Sequence, residues 1–288
     1  MNNANTERKL LVAPKFKINR RTKTIFTLTT ASVILMAILI AGIVMNEDAY
    51  GTSFISKNLP PSIGHLFGTD WMGRDMLART VKGLSTSILI GAVASVFASV
   101  MALIMGIAAG TMGHKVDAFF NWLVDLFVGV PHLILLILIS VLVGKGTKGV
   151  LIGVVVTHWC SLGRIIRAEI LSLKNSEYVI TAEKFGKSKF YIAKNHFLPH
   201  VIPQFFISII LLFPHAIMHE ASITFLGFGI PPEQPAVGVI LSEAMNYLTS
   251  GMWWLAVLPG LSLLLIVILF ETIGDQLKLL MDPHSAQE

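Results

Sequence analysis

Hydrophobic positions along this chain come in long continuous runs, not in strand-like alternation or narrow helical stripes. A helix rising 1.5 Å per residue needs about 20 apolar residues to cross a lipid bilayer. Six runs qualify by length and composition: 25–45, 84–112, 118–143, 149–166, 201–225 and 252–273. The third carries Asp125 and Pro131, the fourth ends at Arg164 and Arg167, and the fifth carries Glu220. The pattern predicts an all-α, polytopic membrane protein with six transmembrane helices. A basic tail covers 1–24, and the first span with its external segment covers 25–83. A core of five spans covers 84–274, and a short tail covers 275–288. The first run is too long for a signal-peptide core and follows a basic leader, so an uncleaved anchor is expected.

Composition agrees. Of 288 residues, 54% are hydrophobic and 14% charged, against about 25% charged in soluble domains. The net charge of +5 is no nucleic-acid signal, because the basic residues sit in loops beside apolar runs. Their distribution predicts orientation instead. With the N-terminus in the cytoplasm, sixteen Lys and Arg fall inside and six outside, so both termini are expected to be cytoplasmic, in the cytoplasmic (inner) membrane. Cys160 is the single cysteine, which excludes an internal disulfide.

The external segment 46–83 contains Pro60, Pro61 and the run GTDWMGRDMLART. It is too polar to span, and Trp71, Met72, Met76 and Leu77 suggest a piece lying on the membrane surface. Gly106 and Gly110 form a small-xxx-small pair that suits close helix packing. The longest polar, basic segment between spans is EYVITAEKFGKSKFYIAKNHFLP, 177–199. Its first part reads as an amphipathic helix. Gly186 permits a left-handed turn, and a second amphipathic piece runs from Lys189 to Phe197. Pro199 suits the first turn of the next helix, where a missing N–H costs nothing. The expected form is helix, turn, helix, parallel to the membrane.

This segment resembles the EAA coupling loop of permeases in ATP-binding-cassette importers, in which a Gly is followed thirteen residues later by a Pro, here Gly186 and Pro199 with Leu198 before it. Ile180 and Thr181 depart from the triplet, of which Ala182 remains. GTDWMGRD (68–75), ITFLGFGIPPEQPAVG (223–238) and GDQLKLLMDP (274–283) resemble blocks of the peptide/nickel permeases, specifically the second of their two paired subunits. The resemblance covers roughly residues 55 to 283 and implies a type I importer permease. Glu177, Tyr178, Ala182, Gly186, Leu198 and Pro199 would then dock on an ATPase. It further implies a homologous second permease forming a heterodimer, two ATPase subunits carrying ATP and Mg, and an extracytoplasmic substrate-binding protein. The chain would hold no cofactor and catalyse nothing itself. It has no GxxxxGK[ST] loop, so the ATPase belongs to another chain.

Polar side chains inside spans are costly and are functional candidates by default. Here they are Asp125, His132, His158, His215, His219 and Glu220. His215 and His219 are four apart and share a helix face. From the predicted boundaries, His158 and His215 lie roughly 13 and 15 Å from the outer ends of their helices, with His219 one turn further out. His158, His215 and His219 therefore form an expected metal-binding level in the pathway, with Glu220 beside it, since imidazole suits nickel, copper and zinc. His158-Trp159 and the HxxxH of 215–219 resemble the nickel-transporting branch. The expected cargo is nickel or a nickel chelate; the alternative is a di- or oligopeptide. An intramembrane metalloprotease is disfavoured because HExxH would need a histidine where Ile223 stands. A self-contained secondary transporter would leave the coupling segment unexplained.

Overall fold

The computed structural model describes residues 20–281. The helices are α1 (Arg20–Val44), α2 (Met76–Met112), α3 (His114–Val128), α4 (His132–Val143), α5 (Thr147–Leu173), α6 (Glu177–Lys184), α7 (Lys189–Ile192), α8 (Leu198–Phe225), α9 (Val237–Met245) and α10 (Trp254–Met281). No strand forms among the described residues; a single isolated bridge joins Thr69 and Asp75. The predicted basic tail lies outside the described residues up to position 19, as does the end of the 274–283 block beyond position 281.

Five helical runs are long and apolar enough to cross a membrane, and α3 with α4 supplies a sixth if that bent pair is one span. The third predicted span, 118–143, is thus not a continuous helix. Its halves meet at 96°. Pro131 has no N–H to continue the ladder of α3 and disfavours helical backbone in Val130 before it. Gly129 instead closes α3 on the Asp125 carbonyl at 2.8 Å, and the Pro131 carbonyl accepts from Ile134 and Leu135 to start α4.

The long helix α2 is the axis of the bundle and packs on α1, α3, α5, α8, α9 and α10. Its sequence explains why. Its buried positions are mostly small: Gly83, Ser87, Gly91, Ala94, Ser95, Ala98, Ser99, Ala102, Gly106, Ala109 and Gly110. A methyl group added at Gly106 would sit 2.9 Å from the Gly163 carbonyl oxygen and from Ile166, and one at Gly110 would sit 2.6 Å from Ile170. One at Gly91 would meet Ile217 of α8 at 2.7 Å. The GxxxG pair therefore lies at a point of close approach between α2 and α5.

Two predicted boundaries shift. The segment after α1 folds on itself, and α2 begins earlier than the predicted span, at Met76, which is 1% exposed. Asp75 caps that helix, accepting from the Ala78 N–H at 2.9 Å. The piece from Lys189 is also not a separate surface helix. It passes through a π turn, Ala193–Phe197, directly into α8, with Pro199 in the first turn as expected. The wider turn sits where Pro199 denies an N–H to the preceding carbonyls.

Gly106→Leu is expected to overpack the α2–α5 contact and lower stability by about 1–3 kcal/mol. The measurement is thermal unfolding of the purified protein, with Gly64→Ala as control because nothing lies within 4 Å of a methyl group there. Equal melting of the two variants would remove the close-approach argument.

Candidate functional site: coupling segment and histidine cavity

The coupling segment presents a dry side and a wet side. Val179 of α6, Ile192 of α7 and Phe197 of the π turn are buried in one cluster with Phe120, Trp159, Ile166 and Ile170, and Ala182 packs against it. The opposite side exposes Tyr178, Phe185, Phe190 and Tyr191, with Phe185 at 78% and Phe190 at 75%. Glu177 and Pro199 are exposed, while Leu198 is half-buried. Gly186 has φ +72°, the left-handed region, and a methyl group there would touch nothing within 4 Å. The need for glycine is one of backbone conformation and not of space. The exposed aromatics carry the character of an interface centre; only their place in an amphipathic helix pattern signalled them in the sequence.

A cavity of about 530 Å³ lies between α3, α4, α5 and α8. Thr157, Cys160, Ser161 and Arg164 of α5 line it. Their spacing of 0, 3, 4 and 7 places them on one helix face. From α8 come Leu212, His215 and His219, and from the start of α4 comes His132. His132, His158 and His219 converge here. Their ring centroids are 4.5 to 5.0 Å apart, and one ligand nitrogen from each lies within 4.8 Å of the others. His158 Nδ1 is 2.9 Å from the Val154 carbonyl oxygen. A carbonyl can only accept, so this nitrogen carries the proton and Nε2 holds the free lone pair. His158 Nε2 and His132 Nε2 are both buried without a hydrogen-bond partner.

The structure thus brings His158 and His219 together and adds His132, the residue on which the break at Pro131 ends. His215 lines the same cavity, one helical turn from His219, but lies outside the convergence. Glu220 does not line the cavity. Adjacent helix positions point about 100° apart, and Glu220 is fully buried, accepting from Thr224 Oγ1 at 3.0 Å. Thr224 Oγ1 in turn accepts from the Ile230 N–H at 3.2 Å, so this carboxyl ties α8 to the turn that follows it. Arg164, a cavity residue, was visible in the sequence only as the charge ending a span. Asp125 is exposed on α3.

At the end of α2 far from the coupling segment, the GTDWMGRD run forms a buried ion network. Asp70 Oδ2 accepts from Arg74 Nε at 2.6 Å and Arg79 Nη1 at 2.8 Å, while its Oδ1 accepts from the Met72 and Arg74 N–H groups, both at 2.9 Å. Glu243 of α9 accepts from both arginines. Gly73, at φ +75°, is required by contact as well, since a methyl group there would lie 1.7 Å from the Ser53 carbonyl oxygen. The run is therefore a folding element that clamps the segment after α1 to α2 and α9.

Among the described residues the chain is an all-helical bundle in which five runs are long and apolar enough to cross a membrane, or six if the bent pair is one span. Residues 102–284 match the family described as binding-protein-dependent transport system inner membrane component, and the chain belongs to that family. It is 33% identical to the dipeptide transport system permease protein DppC of Bacillus subtilis over 231 residues, covering 80% of this chain and 72% of that one. It is 32% identical to the oligopeptide transport system permease protein OppC of the same organism, covering 87% and 82%. In fold it is similar to the MetNI methionine ABC transporter in inward-facing form. That match has a TM-score of 0.56 and 17% identity, and it covers 72% of this chain and 98% of that chain. The chain is a multi-pass inner-membrane permease component and not an enzyme. Permeases of this family work with separate ATPase subunits, which hydrolyse ATP, and with substrate-binding subunits.

Asp70→Ala would leave the Arg79 guanidinium, 3% exposed, without one of its two carboxylates. Removing one partner of a buried pair costs about 3–5 kcal/mol. The variant is expected to melt well below wild type, and further below it than Arg74→Ala, whose side chain is 16% exposed. Equal melting of the two variants would show that the Arg79 contact carries no special weight.

Proposed function

We propose that this chain is the permease subunit of an ATP-driven importer for di- or oligopeptide-class cargo. It works as a heterodimer with a homologous permease, two ATPase subunits and an extracytoplasmic binding protein, with both termini cytoplasmic. The observation that carries the cargo class is the likeness, over most of the chain, to permeases named for dipeptides and oligopeptides. ATP binding draws the ATPases together, they pull on 177–199, and access to the cavity alternates between the two faces of the membrane. A second reading, import of nickel or a nickel chelate, is favoured by the convergence of His132, His158 and His219.

The deciding measurement is ATPase stimulation of the co-purified complex with its binding protein, comparing a dipeptide, nickel and a nickel chelate. Stimulation by the dipeptide supports the peptide reading. Stimulation by nickel or its chelate with a silent dipeptide replaces it with the second reading.

Gly186→Val forces a β-branched residue into left-handed backbone, which costs about 1–2 kcal/mol or distorts the turn. Uptake per ATP hydrolysed is expected to fall several-fold. Gly186→Asn, which tolerates that conformation, is expected to keep most of the coupling. Normal coupling in the valine variant would sink the docking role of the turn.

A further inference from the structure

We infer that Glu220 controls opening of the cavity at the end away from the coupling segment: its carboxyl latches segment 226–236, which caps the cavity-lining helices, onto α8 and α2. This rests on the alternating access proposed above and names what holds one end of the cavity shut. Glu220 is a positioning residue in this role, since it acts through the segment and lies outside the cavity lining.

Segment 226–236 joins α8 to α9 and meets each of the three helices whose histidines converge. Ser140, near the end of α4, donates to the Phe228 carbonyl at 2.9 Å. Lys145, between α4 and α5, places its ammonium 5.1 Å from the centre of the Phe228 ring. Thr147, the first residue of α5, donates to Gln234 Oε1 at 3.4 Å. At the end of α8, the Ile223 carbonyl accepts from the Phe228 N–H at 3.0 Å and Thr224 Oγ1 accepts from the Ile230 N–H at 3.2 Å. Pro232 and Pro235 share a pocket with Arg74 and Arg79, which puts the segment at the clamp end of the bundle. It therefore bridges α4, α5 and α8 at the end far from 177–199. Thr224 is about 7.5 Å along α8 from His219.

The carboxyl is the latch because it orients the hydroxyl on which the segment hangs. A threonine hydroxyl has one proton and two lone pairs. Glu220 Oε1 takes the Thr224 proton at 3.0 Å, which leaves the lone pairs for Ile230. Glu220 Oε2 is buried without a hydrogen-bond partner, as is Ser87 Oγ of α2, and the two side chains face one another. Unpaired buried polar groups are costly, so a small shift that pairs these two is favoured and joins α2 to the same chain of bonds. Glu220 and Ser87 are 0% exposed and Thr224 is 2% exposed, so water does not compete for these bonds while the segment is seated. The seat is tight: a methyl group at Gly229 would lie 2.2 Å from Thr224 Oγ1. Lifting the segment breaks the Ile230 bond and uncovers the carboxyl.

The test uses the thiol already in the cavity, since Cys160 is the single cysteine of the chain and lines that space. The whole transporter complex, in membrane vesicles without nucleotide or cargo, is treated with a membrane-impermeant methanethiosulfonate on the side away from the ATPases. Modification of this chain is followed by intact mass. Wild type is expected to react slowly. Glu220→Ala and Thr224→Val should each react about tenfold faster, the effect of losing a buried hydrogen bond. Glu220→Gln keeps an acceptor for Thr224 and should stay within about twofold of wild type. Reagent on the ATPase side should modify all three variants at the wild-type rate. Wild-type rates in Glu220→Ala and Thr224→Val overturn the latch. So does an equal rise from both sides, which is general loosening, and so does Glu220→Gln behaving like Glu220→Ala. No cargo is present, so a failed latch and a failed cargo reading are told apart by the separate ATPase measurement. Size-exclusion elution identical to wild type shows that each variant has assembled.

Discussion

The closeness with which α5 and α8 approach α2 governs the rest of this structure. In lipid, helices gain little by hiding apolar surface from one another, so association rests on contact between close-fitting surfaces. Gly106 and Gly110 let the α5 backbone come within a methyl group of α2, and Gly91 does the same for Ile217 of α8. These contacts fix α5 and α8 relative to one axis and hence relative to each other. His158 and His219 sit on those two helices. Their convergence is a consequence of small residues at positions that contain no chemistry of their own.

The same packing connects the coupling segment to the cavity. Val179, Ile192 and Phe197 share a buried cluster with Trp159, Ile166 and Ile170 of α5. Trp159 follows His158 directly, and Phe120 and Phe127 of α3 meet its ring edge-on. A displacement of α6 and α7 therefore acts on the packed side of α5, while the neighbouring face of α5 lines the cavity. Close-packed interiors transmit strain instead of absorbing it. The segment has a packed dry side and a wet side rich in exposed aromatics.

Much of the fold was legible in the sequence because the bilayer sets a length, and long apolar runs meet it without reference to tertiary contacts. The coupling segment was legible because its glycine and proline act locally: Gly186 adopts the left-handed turn and Pro199 opens α8. What escaped were features decided by contacts between distant segments. Met76 reads as a surface residue until the α9 and α10 residues Ile240, Ala244 and Leu255 are seen packed against it. The π turn that joins α7 to α8 is invisible to periodicity. His132 was one polar residue among several, and its role in the cavity depends on the 96° break that carries α4 back toward α5. His215 and His219 share a face, but a shared face spans a full turn, and only one of the two reaches the other rings.

The three converging histidines sit on three separate helices, His132 on α4, His158 on α5 and His219 on α8. Helix α5 carries both His158 and the packed side that meets the segment 177–199. A shift of α5 against α4 and α8 therefore alters the distances between the three rings, because close-packed helices move as units.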